Sequence, residues 1–399
     1  MNWSDPIVFI GGQLNTLLLG WGLAPDVATA IMKLIGAAVV GTFSLVFVIF
    51  TIWLERKVYA RVQDRLGPNR VGPWGILQTF PDMVKIFTKE YITPDGADKV
   101  VYNLAPILFV SAVLLLWAVI PYSKTLVGSE LNVGVLYIVA VGAIGTLSLI
   151  MAGWSSNNKY ALLGAFRAVA QMVSYEVPMV LALLVPVILS GTMGINGIVE
   201  AQKNVWFFVA SPIAMLMFFI SSQAEIGRAP FDLLEAESEL IAGYQIEYSG
   251  LKFGMFYVGD FLHAFTVSAV MVSLFFGGWQ GPFANEIPLL GIAYFYAKTF
   301  LVYFFLLVVR ISMPRLRIDQ LLNFNWKFLT PIALVLLMAT ALVQKVAQQY
   351  NANLWVTTLA HLVVNLLIAW VTVEILRRFA RGERARVGET RAVAMAPKS

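Results

Sequence analysis

The sequence contains no cysteine. That excludes disulfides, thiolate nucleophiles, zinc–thiolate sites and cysteine-ligated iron–sulfur clusters within the chain. Histidine is almost as scarce: His263 and His361 are the only two. They lie far apart in apolar segments, so a bis-histidine haem would need both. No Walker A loop occurs, and no GxGxxG fingerprint sits in strand–turn–helix context, so neither ATP nor NADH is expected to bind here. Charge is also sparse. Asp, Glu, Lys and Arg make up 13% of 399 residues, against about 25% in a soluble domain.

What fills the chain instead is apolar. The hydrophobic share is 59% and the mean hydropathy is +0.76. A soluble globule of this length could not hide so much apolar side chain, so the composition reads as an integral membrane protein. The net charge of +5 comes from cations that flank apolar runs. It reads as a topology signal, with no nucleic-acid partner.

A membrane span needs about 20 apolar residues. Runs of that kind fall near 31–54, 103–121, 134–153, 161–190, 206–222, 256–277, 293–312, 329–346 and 354–376. The expected fold is all-α, a polytopic bundle of about nine transmembrane helices with structured cytoplasmic loops. The run 161–190 is too long for one straight span and holds Pro178 and Pro186, so a tilted or kinked helix is expected. All but Lys33, Lys124, Lys203, Lys298 and Lys345 of the 28 cations fall on one side when the N-terminus is placed outside. The positive-inside rule then gives N-out and C-in. Residues 1–30 lack a cationic start, so no cleaved signal peptide is expected, and they read as an interfacial segment. Residues 31–378 form the bundle with inner loops 55–102 and 223–255, and 379–399 read as a disordered basic tail. No repeat of 20–50 residues is visible.

Two inner loops carry unusual chemistry. The first reads LERKVYARVQDRLGPNRVGPWGILQTFPDMVKIFTKE. Glu55, Arg56 and Lys57 end the first span abruptly, and Arg61 and Arg65 are four apart on one helical face. Gly67-Pro68-Asn69 and Gly72-Pro73 punctuate a turn. From Trp74 to Lys89 the spacing of Leu77, Phe80, Val84 and Phe87 predicts an amphipathic helix at the inner membrane surface. The alternative is a solvated loop whose helix rests on the membrane and binds no ligand.

The second loop reads QAEIGRAPFDLLEAESELIAGYQIEYSG. It concentrates Glu225, Asp232, Glu235, Glu237, Glu239 and Glu247, offset nearby only by Arg228 and Lys252. Asp232, Glu235 and Glu239 fall on one helical face. Crowded carboxylates raise one another's pKa values, which suits proton handling. A solvated acidic face or a docking surface for basic neighbours is the other reading, weakened by Leu233, Leu234, Leu240 and Ile241. Within the spans the notable acid is Glu176, on a helix whose Arg167, Gln171 and Ser174 form a polar stripe. An ionisable group at that depth is a functional-site candidate, or else one half of a structural ion pair. Asp260 and His263 extend the same path. Glu374 lies beside Arg377 and Arg378 and reads as a surface pair.

The two loops resemble the signature regions of the membrane subunit called 1 or H of NADH:quinone oxidoreductase, respiratory complex I. With SYEVP in its expected place, the resemblance covers roughly residues 31–346. The segment 354–376 looks like a ninth helix seen in some bacterial members of that family. The resemblance implies the heel of the membrane arm, docked to the hydrophilic arm and to small membrane subunits next to the antiporter-like subunits. It implies a quinone, ubiquinone or menaquinone, as substrate. FMN and iron–sulfur clusters would lie in partner subunits, and this chain would hold no covalent or metal-ligated cofactor. By matching position it assigns Glu55, Arg56, Arg61, Arg65, Asp82, Glu90, Arg228 and Phe231 to the quinone chamber. It assigns Glu176, Glu225, Asp232, Glu235, Glu237, Glu239, Glu247 and Asp260 to the proton path. The expected location is a bacterial inner membrane. A membrane subunit of a ferredoxin-dependent or hydrogenase complex, or a stand-alone proton or cation carrier, stays open as an alternative.

Overall fold

The computed structural model describes residues 6–234 and 241–395, with side chains as far as Arg378. Among these residues the regular structure is helical: α1 Pro6–Gly20, α2 Pro25–Val62, α3 Thr79–Thr88, α4 Lys99–Leu116, α5 Gly134–Ser155, α6 Lys159–Ser190, α7 Ile195–Ala201, α8 Phe207–Ala210, α9 Pro212–Glu225, α10 Gly250–Phe275, α11 Pro288–Ser312, α12 Ile318–Phe324, α13 Thr330–Gln349 and α14 Leu354–Met395. A π turn over Asn325–Leu329 joins α12 to α13. The protein is an all-α polytopic membrane bundle. Among the described residues eight helical segments are long and apolar enough to cross a membrane.

The expected span at 206–222 is the one that differs. It is interrupted at Ser211, whose backbone is non-helical (φ −138°, ψ 72°), because Pro212 disfavours helical backbone in the residue before it. The 14 residues of α9 reach only about 21 Å, short of the roughly 30 Å hydrocarbon core. The segment is a broken element inside the bundle. By contrast, 161–190 lies within one helix of 32 residues, Lys159–Ser190.

At Pro178, the first of its two internal prolines, a distant side chain answers the break in the hydrogen-bond ladder. Pro178 has no N–H to offer the carbonyl of Ser174 one turn earlier. Asn325 Nδ2, from the π turn, donates to that carbonyl at 2.5 Å. The same solution recurs in α4. Pro106 frees the carbonyl of Tyr102, and Tyr248 OH donates to it at 3.2 Å. In a medium without water each freed carbonyl needs such a partner.

α10 is the central helix: 89% of its most apolar window is buried, against 17% for α2 and 11% for α14. It packs on α2, α4 and α11. Around it Phe47, Phe265, Tyr296 and Phe300 interlock, with the Phe47 and Phe265 ring centroids 4.6 Å apart. The outward faces of α2 and α14 keep Val39, Val46, Leu359 and Trp370 exposed, as helices facing lipid do.

Two local expectations change. The backbone of α2 continues past the charges that end its apolar run but stops at Val62, so Arg61 is helical, Arg65 lies beyond the end, and the two do not share a helical face. A run of charges ends the apolar part of a span, not the backbone hydrogen bonding. The helix between Trp74 and Lys89 starts only at Thr79, preceded by a 3₁₀ turn over Pro73–Gln78. There Gly75 has φ +75°, and a Cβ would overlap the Pro68 carbonyl oxygen, so glycine is required. On α3 the apolar residues Phe80, Val84 and Phe87 are exposed on the molecule's surface, with Leu77 beside them. The expected shared face of Asp232, Glu235 and Glu239 lies partly outside the described residues, as do Glu235, Glu237 and Glu239 themselves.

Candidate functional site

Glu55 organises the charged end of the bundle. Helical spacing puts Ser44, Val48, Thr51 and Glu55 on the buried face of α2, toward α10 and α11. The Glu55 side chain is only 7% exposed. Arg228 Nη1 donates to its Oε2 at 3.1 Å and Tyr303 OH to the same oxygen at 3.2 Å. Arg310 Nη1 donates to the other oxygen. Tyr303 and Arg310 are seven residues apart, two turns along one face of α11. One carboxylate therefore ties α2, α11 and the loop after α9 together. The Arg228 guanidinium also lies 4.9 Å from the Phe261 ring centroid. Burial works against its charge, but Glu55 and Tyr303 outweigh burial and hold its pKa above the ordinary arginine range; Asp260 adds to this. Asp232 and Glu55 both act electrostatically on Tyr59, which places Asp232 at the rim of the same cluster.

A second group lies beside the first. Glu225 ends α9, and its Oε1 is 4.0 Å from Nε2 of His263 on α10. The same oxygen approaches α5 closely: a Cβ on Gly142 would lie 3.5 Å from it. Glu176 on α6 is near enough for its charge to act on Glu225, and Arg228 acts on His263. Arg228 is thus the group common to both clusters. The arrangement is a chain of ionisable side chains, Glu55, Arg228, Asp260, His263, Glu225 and Glu176, drawn from four parts of the sequence.

The loop that carries Arg228 is held by the polar stripe of α6. Gln171 Nε2 donates to the carbonyls of Ala224 at 2.6 Å and Phe231 at 2.7 Å. Phe231 is buried and its ring lies 5.2 Å from Tyr175. Gly227, at φ +67°, turns the chain where a Cβ would overlap Leu234 Cδ1. The stripe of Arg167, Gln171 and Ser174 therefore serves the loop at Gln171 and the π turn at Ser174.

Not every candidate joins these clusters. Arg56 and Asp82 form an ion pair that ties α2 to α3, supported by Trp53 Nε1 donating to the Trp74 carbonyl at 3.2 Å. Arg61, Arg65 and Glu90 are exposed; Arg65 Nε donates to Gln63 Oε1 at 2.8 Å. Glu247 is remote from Glu225. Its carboxylate accepts from Asn158 Nδ2 at 2.6 Å and its carbonyl from Tyr102 OH at 2.7 Å. There the Tyr102 and Tyr248 rings stack at 4.2 Å, and burial pushes the Tyr248 phenol up to about 12 despite a hydrogen bond with Ser155. Glu247 also lines a cavity of about 610 Å³ between residues 94–96 and 156–160. Glu374 pairs with Arg378 on the surface. Among the described residues no group of three or more His, Asp or Glu side chains could hold a metal.

Sequence reasoning missed Tyr303, Arg310 and Tyr59. The seven-residue spacing of a phenol and a guanidinium near the end of an apolar span was the available signal.

The family model described as NADH dehydrogenase matches residues 35–341. The chain belongs to the NADH dehydrogenase family. Relatives include the NADH-quinone oxidoreductase H subunit of Dehalococcoides mccartyi (strain CBDB1), 44% identical over 345 residues, 86% of this chain and 94% of that protein. The corresponding protein of Brevibacillus brevis, of the same name, is 46% identical over 334 residues, 83% of this chain and 98% of that protein. That of Bacteroides thetaiotaomicron, again of the same name, is 42% identical over 354 residues, 85% and 95% of the two chains. The NADH dehydrogenase match takes in every member of both clusters, from Glu55 to Arg310, while α14 lies beyond its end.

Proposed function

We propose that this chain is the H-type membrane component of a proton-pumping NADH:quinone oxidoreductase in a bacterial inner membrane. In this reading the inner loops meet the hydrophilic arm, whose subunits carry FMN and iron–sulfur clusters. The lateral surface meets the small membrane subunits beside the antiporter-like subunits. The chain itself is non-redox. Its task is to receive a quinone and to convert the quinone's change of charge into proton movement.

The observation that carries the reading is the run of ionisable groups from the buried Glu55 and Arg228 to the partly buried Glu225 and Glu176. A quinone has an apolar tail and a polar head, so its chamber needs an apolar mouth and a charged end. The exposed apolar residues of α3, tethered to α2 by Arg56 and Asp82, suit the mouth. Arg61, Arg65 and Glu90 lie on the exposed side of the same region, and Arg228 with Phe231 belongs to the inner end. Reduction of the head takes up protons or leaves negative charge. Arg228 is held charged and touches both clusters, so a new negative charge near it competes with Glu55 for the guanidinium. That competition alters the field at His263 and Glu225 and so their proton occupancy. Asp232, Glu235, Glu237 and Glu239 extend the proposed path on the loop side and Asp260 stands within it beside Arg228, while Glu247, bonded to Asn158, stays outside it; Glu176 passes the change toward neighbouring subunits.

The test uses the assembled complex with Glu225→Gln or Glu176→Gln in this chain. The expected result is lowered inhibitor-sensitive NADH:quinone reductase turnover, or fewer protons moved per electron, with flavin and cluster signals unchanged. Wild-type turnover and stoichiometry in both variants would overturn the coupling role. A tagged chain that purifies without partners and moves cations alone would instead favour a carrier.

A further inference from the structure

The end of the bundle opposite Glu55 holds a cavity of about 560 Å³ that the proposed function does not use. Three connections wall it. Lys124 comes from the α4–α5 connection, Glu200 from α7, and Lys203 and Trp206 from the turn before α8. Trp279, Gln280 and Asn285 come from the α10–α11 connection. The size falls within the roughly 300–1,000 Å³ of small-molecule sites.

The walls are fixed in advance by a dense polar frame. Gln202 is fully buried and uses both ends of its amide: Nε2 donates to Ser273 and Ile198 carbonyls at 3.0 and 3.2 Å, and Oε1 accepts from Gly277 N and Phe207 N at 3.0 and 3.3 Å. Gln280 Nε2 donates to the Val199 carbonyl at 2.6 Å. Below, Lys298 Nζ donates to the carbonyls of Phe276, Gly278 and Gln280 at 2.9, 3.1 and 2.7 Å and sits 4.5 Å from the Trp206 ring centroid.

The rim differs from its frame. Lys124, Lys203 and Glu200 are exposed, and no ion pair within the chain among the described residues uses any of them. Two cations and one anion therefore face one rigid hollow lined by Trp206 and Trp279, the residue type enriched where a bilayer meets water. Just beyond it, Val209 on α8 and Leu289 and Leu290 at the start of α11 are exposed and apolar. A ligand that fits needs a phosphate for the lysines, an amine for the glutamate, and apolar chains to lie along α8 and α11.

We propose that this cavity binds the headgroup of a membrane phospholipid that carries both a phosphate and a primary amine. Lys124 and Lys203 hold the phosphodiester, Glu200 holds the ammonium, and the acyl chains run over Val209, Leu289 and Leu290. A phosphodiester between two ammonium groups gains from charge-assisted hydrogen bonds, and the added carboxylate selects an aminated headgroup over a purely anionic one.

The test places the intact complex in lipid nanodiscs with a phosphatidylethanolamine that bears a photoreactive group near its headgroup. Labelled peptides are mapped by mass spectrometry, with phosphatidylethanolamine, phosphatidylglycerol or inorganic phosphate as competitors. Labelling is expected around residues 203–209 and 281–290, displaced by phosphatidylethanolamine well ahead of the other two. Lys124→Ala with Lys203→Ala should weaken labelling about thirtyfold, each basic residue contributing roughly fivefold. Glu200→Gln should keep the phosphate grip and abolish the preference over phosphatidylglycerol. Labelling that survives the double substitution would overturn the site. Equal displacement by phosphatidylglycerol in the wild type would overturn the amine assignment, and displacement by inorganic phosphate would make it a soluble-anion site. The Glu200 variant changes one exposed side chain outside the frame, so its outcome stands even if the double variant assembles poorly.

Discussion

The two ends of the bundle bury cations by different means. At one end Arg228 and Arg310 are met by a single carboxylate, Glu55, inside the protein. At the other, Lys298 is met by three backbone carbonyls and a tryptophan ring, with no acid paired to it among the described residues. Charge against charge is sensitive: altering either partner, or bringing in a third charge, disturbs the whole group. Charge against fixed dipoles is not, because the carbonyls neither titrate nor leave. The first end is built to respond and the second to hold still.

The largest expected effect breaks the first end. Glu55→Leu leaves two arginines near each other in an apolar setting and should destabilise the chain by about 3–5 kcal/mol. Thermal unfolding of the purified complex would measure this. Lys298→Met removes a donor from neutral carbonyls near the surface, and the cost should be smaller, about 1–3 kcal/mol. Equal losses in the two variants would erase the distinction. A third test moves from the ends to the middle. Asn325→Leu should cost about 1–3 kcal/mol, because it strips the Ser174 carbonyl of its donor. Adding Pro178→Ala restores a backbone N–H, so the double variant should recover part of that loss and show a coupling of at least about 0.5 kcal/mol. The smallest effect is Tyr248→Phe, about 0.5–1.5 kcal/mol for one hydrogen bond to the Tyr102 carbonyl. Pro106→Ala should blunt it in the same way. Strict additivity in either pair would show that the side chains do not answer the prolines.

Apolar runs and prolines made most of the helices readable. The transfer energetics of a 20-residue run depend on composition alone, so 134–153 and 354–376 stand out without any tertiary knowledge. The break at Ser211 was visible only as Pro212, and a lone proline inside an apolar run permits either a kink or an interruption. Glu55 and Arg228 were readable as charges beside spans. Their pairing was not, because 173 residues separate them and only packing decides which cation reaches which acid. The polar stripe of α6 was seen, but its partners were hidden. Gln171 binds backbone carbonyls, and a carbonyl carries no mark in the sequence. Asn325 was invisible for the same reason: one amide in an apolar run gains meaning only beside the proline it serves.

The hydrogen bond between Asn325 and Ser174 also sets an order in time. Its partners are 151 residues apart, which at roughly 5–20 residues per second is about 8–30 s of synthesis. During that interval α6 has emerged from the ribosome with Pro178 in place and its answering side chain not yet made. The freed carbonyl must be covered by water or by the insertion machinery until the π turn arrives. The hydrogen bonding of α6 is therefore complete only after the π turn that follows α12 has been made, although the helix itself is translated long before.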